Sequence, residues 1–230
     1  MRQAMLRVFS NIPNSIRSIG NKTARKRSSY KPDMLIESLE KREVCAVSVA
    51  VTSLGTLQVK ITGSDSRQNF VLRTVSSSLN KITYDDGVEI KSVNVNPLII
   101  GAIDISGSDR ANSISLTLVD KNHFPGIPDR PANPAIVIRG NHGDDSLFGS
   151  DLADSIHGGE GSDVISGRGG NDKLDVGSGN YNEIVRAGDG DDTVIAWTFI
   201  DGSRSLFDGE GGSDVFVGKN PTKATKRSFP

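Results

Sequence analysis

Aspartate recurs at a strict interval in the last third of the chain. Asp145, Asp154, Asp163 and Asp172 stand nine residues apart, and each is followed two residues later by a large apolar side chain: Leu147, Ile156, Ile165 and Leu174. Glycine opens each unit. In Gly158-Gly-Glu-Gly-Ser-Asp-Val-Ile-Ser166 every specified position of the pattern G-G-x-G-x-D-x-U-x is met, U being a large apolar residue. Glycines at such offsets let a turn adopt positive φ without a Cβ penalty, so backbone carbonyls converge on one point. The sixth-position aspartate adds a carboxylate to them. Hard oxygen donors of both kinds are the ligands Ca²⁺ takes, six to eight at a time. The candidate ligand positions are therefore Gly140, Gly143, Asp145, Asp154, Gly158, Gly159, Gly161, Asp163, Gly167, Gly169, Asp172, Gly188, Gly190, Asp192 and Asp214.

The four in-frame units run from Gly140 to Asp175, the last of them, Gly167-Arg-Gly-Gly-Asn-Asp-Lys-Leu-Asp175, with one glycine displaced. The register then slips by a two-residue insertion near Val176, which places Glu183 where aspartate is expected and Val185 at the apolar position. Ala187-Gly-Asp-Gly-Asp-Asp-Thr-Val-Ile195 restores the pattern, with Asp192 and Val194. The stretch 196–208 is longer and has Ser205 at the sixth position. Gly209-Glu-Gly-Gly-Ser-Asp-Val-Phe-Val217 closes the run with Asp214 and Phe216. A solvated acidic linker has no reason to place Leu or Ile every nine residues behind an Asp.

These units resemble the haemolysin-type, or RTX, calcium-binding repeats of secreted bacterial toxins, proteases and lipases, over about 78 of 230 residues. The resemblance implies a parallel β-roll in which two nonapeptides make one turn of about 18 residues. Loops of units n and n+2 then share an edge. That pairs Asp145 with Asp163 and Asp154 with Asp172, with Asp172 and Asp192 as a third pair, and several Ca²⁺ ions lie between stacked loops. It also implies export, with low cytosolic calcium keeping the chain unfolded and millimolar external calcium folding it.

The elements that position such loops are short strands. The three residues around each apolar position read as a strand whose U side chain points inward while its neighbours point out. Seven such residues, Leu147, Ile156, Ile165, Leu174, Val185, Val194 and Phe216, make a thin apolar ladder. Stacked carboxylates repel by up to about 4 kcal/mol per close pair at an effective dielectric near 20. The repeat segment is thus expected to be disordered without metal.

Four segments are expected. Residues 1–43 form a basic leader or targeting segment, with eight Lys and Arg and no acid before residue 32. Within it, residues 32–42 suit a short helix. Its Leu35-Ile-Glu-Ser-Leu-Glu-Lys-Arg42 resembles the L-E-x-R-type start of many planctomycete surface proteins, which supports export. Residues 44–138 read as strands, among them Leu57-Gln-Val-Lys-Ile61 and a hairpin turning at Asp86-Gly87. This region is either a degenerate version of the same repeat or a set of independent hairpins. For the first reading, Gly107-Ser-Asp-Arg-Ala-Asn-Ser-Ile114 lines up with Gly149-Ser-Asp-Leu-Ala-Asp-Ser-Ile156, Asn112 standing for Asp154. The same strand-then-glycine entry recurs in Val59-Lys-Ile-Thr-Gly63, Ile103-Asp-Ile-Ser-Gly107 and Val137-Ile-Arg-Gly140. Pro125, Pro128, Pro131 and Pro134 mark a loop. Residues 139–217 are the roll, with 13 Asp and 3 Glu against 4 Lys and Arg over 140–217, and residues 218–230 a basic tail.

The fold class is all-β, a parallel β-roll or β-solenoid preceded by a β-rich region. Cys45 is the single cysteine, so no intrachain disulfide and no thiolate cluster forms, and it reads as a small buried apolar residue. No apolar run approaches the ~18 residues of a membrane span. His123, His142 and His157 are too far apart for H-E-x-x-H, no G-x-S-x-G is present, and no phosphate-binding glycine motif sits between strand and helix. His142 and His157 read as surface residues, and Trp197 and Phe199 as padding of the roll. The basic leader lacks interleaved aromatics, so nucleic acid is not an expected partner. The leading expectation is a non-enzymatic, extracellular or cell-surface calcium-binding protein, with a cell-surface or matrix partner unnamed. Its rivals are the folding and secretion tail of a hydrolase whose active site lies in 44–138, and an adhesion module.

Overall fold

Period-two alternation governs the strands of the computed structural model, which describes residues 46–62, 68–76, 81–130, 132–178, 182–197, 205–218 and 225–229. The strands in chain order are β1 (Ala46–Val51), β2 (Thr56–Thr62), β3 (Gln68–Ser76), β4 (Lys81–Asp85), β5 (Ile90–Asn94), β6 (Ala102–Ser106), β7 (Asn112–Ser115), β8 (Ile136–His142), β9 (Ser146–Phe148), β10 (Asp154–Glu160), β11 (Val164–Gly169), β12 (Lys173–Gly177), β13 (Ile184–Asp189), β14 (Thr193–Ala196), β15 (Leu206–Gly211), β16 (Val215–Gly218) and β17 (Thr225–Arg227). Among the described residues the sole helical element is a 3₁₀ turn, Pro97–Ile99. The expected leader helix and Cys45 lie outside the described residues.

The strands form two sheets, and from β5 onward successive strands alternate between them. One has the order β1-β2-β6-β8-β10-β12-β14-β16, the other β17-β15-β13-β11-β9-β7-β3-β4-β5. From β2 and β3 onward to β16 and β17 neighbouring repeat strands are parallel, and antiparallel pairing is confined to β1 on β2 and the β3-β4-β5 meander. This is the β-roll. The turn is 18 residues where the nonapeptides are regular: Ile138 pairs with Ile156, and Ile156 with Leu174. It widens to 20 for Leu174 and Val194, and to 22 for Val194 and Phe216. The same widths appear in the other sheet, from Ile165 to Val185 and from Val185 to Phe207. Both insertions therefore fall on one edge of the roll, between β12 and β13 and between β14 and β15. On the opposite edge the loop segment is a constant six residues downstream of β9, at 149–154, 167–172, 187–192 and 209–214, whereas the long loop 116–135 joins β7 to β8 there.

Inward-facing residues form columns along the roll. Phe70, Ile114, Leu147, Ile165, Val185 and Phe207 stack in one sheet, and Val59, Ile105, Ile138, Ile156, Leu174 and Val194 in the other, all at 2% exposure or less. Phe207 was not among the seven expected inward residues, because the longer insertion before it hides the nine-residue spacing. Burying a side chain of this size contributes roughly 1.5–3 kcal/mol.

The upstream strands continue the same columns, which favours a degenerate roll over independent hairpins. Leu57-Gln-Val-Lys-Ile61 stacks on Ile103 and Ile105, and those stack on Ile136 and Ile138. The Val59-to-Gly63 entry is thus two residues out of step with the other two. The expected hairpin forms from β4 and β5, where Asp86 Oδ1 accepts from Val88 N–H at 3.0 Å and Glu89 N–H at 2.9 Å. The proline-rich loop 116–135 buries Phe124 and Ile127 completely. Trp197 is 57% exposed and does not pad the core; Phe199 lies outside the described residues. In the basic C-terminal stretch, β17 adds a strand to β15, and Phe229 meets Phe216 edge-on at 5.8 Å between ring centres.

Candidate metal centre

Each nonapeptide loop ends in a residue that enters the next strand facing inward. At the edge between β8 and β9 and its equivalents these residues are Gln68, Asn112, Asp145, Asp163, Glu183 and Ser205. At the other edge they are Leu57, Ile103, Ile136, Asp154, Asp172, Asp192 and Asp214. Upstream, amide or apolar side chains hold the places that carboxylates hold downstream.

The carboxylates are wired turn to turn. The backbone N–H of Asp145 donates to Asp163 Oδ1 at 2.9 Å, and that of Asp163 to Glu183 Oε2 at 2.9 Å. Glu183 N–H in turn donates to Ser205 Oγ at 3.0 Å. On the other edge Asp154 N–H donates to Asp172 Oδ1 at 2.9 Å, Asp172 N–H to Asp192 Oδ1 at 2.7 Å, and Asp192 N–H to Asp214 Oδ1 at 3.0 Å. The expected pairs 145 with 163, 154 with 172 and 172 with 192 are all brought together, and 192 with 214 joins them.

One oxygen of each carboxylate is thereby used, and the fate of the other separates the loops. Oδ2 of Asp145, Asp163, Asp172, Asp192 and Asp214 is buried without a hydrogen-bond partner among the described residues. An uncompensated buried carboxylate oxygen is costly unless a cation meets it. Burial accordingly pushes these acids upward: Asp145 to about 7, Asp163 to about 6, Asp172 to about 9 and Asp192 to about 6, with Asp214 raised as well. Asp172 also faces the charges of Asp154, Asp192 and Asp129.

The same five loops share a backbone signature. Their second and fourth residues are left-handed: Asn141 and Gly143, Gly159 and Gly161, Arg168 and Gly170, Gly188 and Gly190, Glu210 and Gly212. This conformation packs carbonyls against the next loop. A Cβ on Gly161 would stand 2.2 Å from the Gly143 carbonyl oxygen, and one on Gly190 would stand 2.0 Å from that of Gly170. The first glycine of the unit forms the other wall, since a Cβ on Gly158 would meet Asp163 Oδ2 at 2.3 Å and one on Gly167 would meet Asp172 Oδ2 at 2.1 Å. Gly140 is placed in the same way against Asp145 Oδ2. Among the described residues no three His, Cys, Asp or Glu side chains converge on one point. The oxygen set of each loop is one carboxylate plus backbone carbonyls, which fits a cation shared between two loops and fits Ca²⁺ better than a metal needing nitrogen or sulfur.

Residues 148–181 and 178–198 match the family model described as RTX calcium-binding nonapeptide repeat (4 copies). The chain carries haemolysin-type RTX repeats. No curated protein and no solved structure matches the chain. The RTX loop geometry extends beyond the matched residues on both sides, to 140–145 and 209–214, which share the backbone signature and the unpartnered Oδ2.

Two of the expected ligand positions behave differently. Asp154 has no unpartnered oxygen: Ser150 N–H donates to its Oδ2 at 2.6 Å, and Ser150 Oγ lies 3.0–3.1 Å from both oxygens. Its spacing matches the other aspartates, but the local hydrogen bonds do not. Gly169 has an ordinary φ and open space around its α-carbon, with Asp151 Cα at 3.7 Å from a built Cβ; its neighbour Gly170, at φ 103°, takes the fourth-position role. Gly209 stands in the first-position role, 2.3 Å from Asp214 Oδ2 by the same measure, and Gly170 and Gly212 in the fourth. All three follow from the repeat register and were missing from the expected set. His142 and His157 lie on the surface beside Asp109 and Asp175, at 3.3 and 3.4 Å.

Proposed function

We propose that this chain is a non-enzymatic, exported or surface-attached protein whose RTX roll binds Ca²⁺ between stacked loops, the bound ions driving the roll toward its folded state. The observation that carries the proposal is the coincidence, in the same five loops, of a buried partnerless Oδ2 with left-handed second and fourth residues. Loop 140–145 stacks on 158–163 at one edge. At the other, 167–172 stacks on 187–192, and 187–192 on 209–214. Each of these three stacked pairs would hold one ion through its two aspartates and facing carbonyls. Bound there, Ca²⁺ supplies positive charge to carboxylates that burial otherwise disfavours, and it ties one turn to the next.

The non-enzymatic reading is supported by the upstream strands. Their apolar residues, Leu57, Val59, Phe70, Ile103, Ile105 and Ile114, are spent in the columns of the roll, which leaves little material for a separate catalytic core in 44–138. Export would suit sites with the ~10⁻⁴–10⁻³ M affinity of extracellular modules, which stay empty at cytosolic calcium. Among the described residues no helix is long and apolar enough to cross a membrane.

Circular dichroism of the whole chain in chelator and in about 10 mM calcium, above the module range, tests the proposal. A gain of β signal and a higher melting temperature on adding calcium are expected. Identical spectra and melts in both would overturn it.

A further inference from the structure

The loops 107–112 and 149–154 look like repeat loops but are closed from within. In the second, Ser150 N–H and Oγ engage the Asp154 carboxylate, and Ser150 Oγ accepts from Leu152 N–H at 3.1 Å. In the first, Ser108 N–H donates to Asn112 Oδ1 at 3.3 Å, Ser108 Oγ lies 3.2 Å from that oxygen, and Arg110 N–H donates to Ser108 Oγ at 3.2 Å. The two rings are the same ring. No residue in either loop is left-handed. In the five cation loops the second position is Asn141, Gly159, Arg168, Gly188 or Glu210, none of which carries a hydroxyl.

Their positions are also matched. Asn112 N–H donates to Asp145 Oδ1 at 2.6 Å, and Asn112 Nδ2 lies 3.1 Å from the same atom, so the first closed loop holds the first carboxylate of one edge. Asp154 N–H donates to Asp172 Oδ1 at 2.9 Å, so the second holds the first carboxylate of the other edge that has an unpartnered oxygen. Beyond each closed loop the column turns apolar or neutral: Ile136 and Ile103 above Asp154, Gln68 above Asn112.

We propose that these two serine-closed loops are metal-free caps, one at the head of each calcium column, and that they present Asp145 and Asp172 already oriented for the first ion of each column. This rests on the calcium reading of the other five loops. Replacing metal by a serine hydroxyl and amide gives the roll a calcium-independent upstream part on which the calcium-dependent part is laid down. Asp154 is then a structural acid and not a calcium ligand, although its place in the repeat is that of a ligand.

The test uses the full chain, with calcium itself as the titrant, in calorimetry and in thermal melts. Asp154→Asn, which copies Asn112, is expected to leave the number of ions bound unchanged, whereas Asp172→Asn loses one. Ser150→Ala is expected to keep the stoichiometry, to lower the melting temperature in chelator by about 2–6 °C, and to raise the calcium concentration at the folding midpoint. Loss of an ion in Asp154→Asn, or an unchanged melt of Ser150→Ala in chelator, overturns the caps. Should the wild type bind no calcium at all, the calcium reading itself fails, and the chelator melt of Ser150→Ala still decides whether the loop is closed as described.

Discussion

Replacing Asp163 by Asn separates the two jobs of a sixth-position aspartate. Its Oδ1 accepts from Asp145 N–H at 2.9 Å, and Asn retains that acceptor. Its Oδ2, buried without a partner, becomes an amide nitrogen that cannot bind a cation. In chelator the variant should therefore melt no lower than the wild type, because a buried carboxylate raised to about 6 is replaced by a neutral group. In calcium the outcome reverses. A site saturated at 100 times its dissociation constant stabilises the folded state by about 2.7 kcal/mol. Three independent sites then give about 8 kcal/mol, and the variant, lacking the site between loops 140–145 and 158–163, keeps about 5. For a chain of this size the lost increment corresponds to roughly 5–10 °C. Calorimetric melts with and without calcium measure it. Asp104→Asn, on the outer face beside Arg139, serves as the control and should keep the full calcium shift. A calcium shift in Asp163→Asn equal to that of the wild type would refute the assignment of Oδ2 to the metal.

Other perturbations read different parts of the structure. Gly170→Ala places a Cβ at φ 103° and 2.4 Å from the Leu152 carbonyl carbon, which should cost at least about 1–3 kcal/mol in strain, while Gly169→Ala meets nothing closer than 3.7 Å and should be near neutral; denaturant melts of the pair in calcium decide which glycine makes the turn. The pH dependence in chelator follows from acids raised by burial. The folded chain binds more protons than the unfolded one between about pH 4 and the raised values near 6–9, so stability falls as pH rises through that window, by up to about 1.4 kcal/mol per unit for each group. Metal-free melts at pH 5 should exceed those at pH 8, and saturating calcium should remove the difference. Phe229→Ala removes the ring that closes the end of the roll over Phe216 and should cost about 1–2 kcal/mol, seen as a lower melting temperature in calcium.

Spacing alone makes the roll legible in the sequence. A nine-residue period of Asp and apolar side chains is a property of the sequence, and it places Asp145, Asp163, Leu147 and Ile165 where the sheets hold them. What the period conceals is local hydrogen bonding. Asp154 and Asp163 are equivalent by spacing, yet serine at 150 and glycine at 159 give one loop an internal donor and the other a left-handed turn. Long insertions hide columns in the same way. The four extra residues before Phe207 obscured its inward role. The loop 116–135 occupies a whole edge, so Asn112 stacks in the column of Asp145 rather than that of Asp154. The upstream region was ambiguous because its sixth positions are Ile103, Ile136, Asn112 and Gln68: the metal signature is gone, and only the sheet register shows that the column continues.

Calcium uptake by the intact chain, measured by equilibrium dialysis or titration calorimetry, tests the central claim most directly. The five loops that leave Oδ2 unpartnered form three stacked pairs, so saturation at about three ions per chain is expected, in the ~10⁻⁴–10⁻³ M range of extracellular modules, together with a cooperative gain in structure. Binding of none, or of one ion for each sixth-position acid including Asp154 and Glu183, would contradict it.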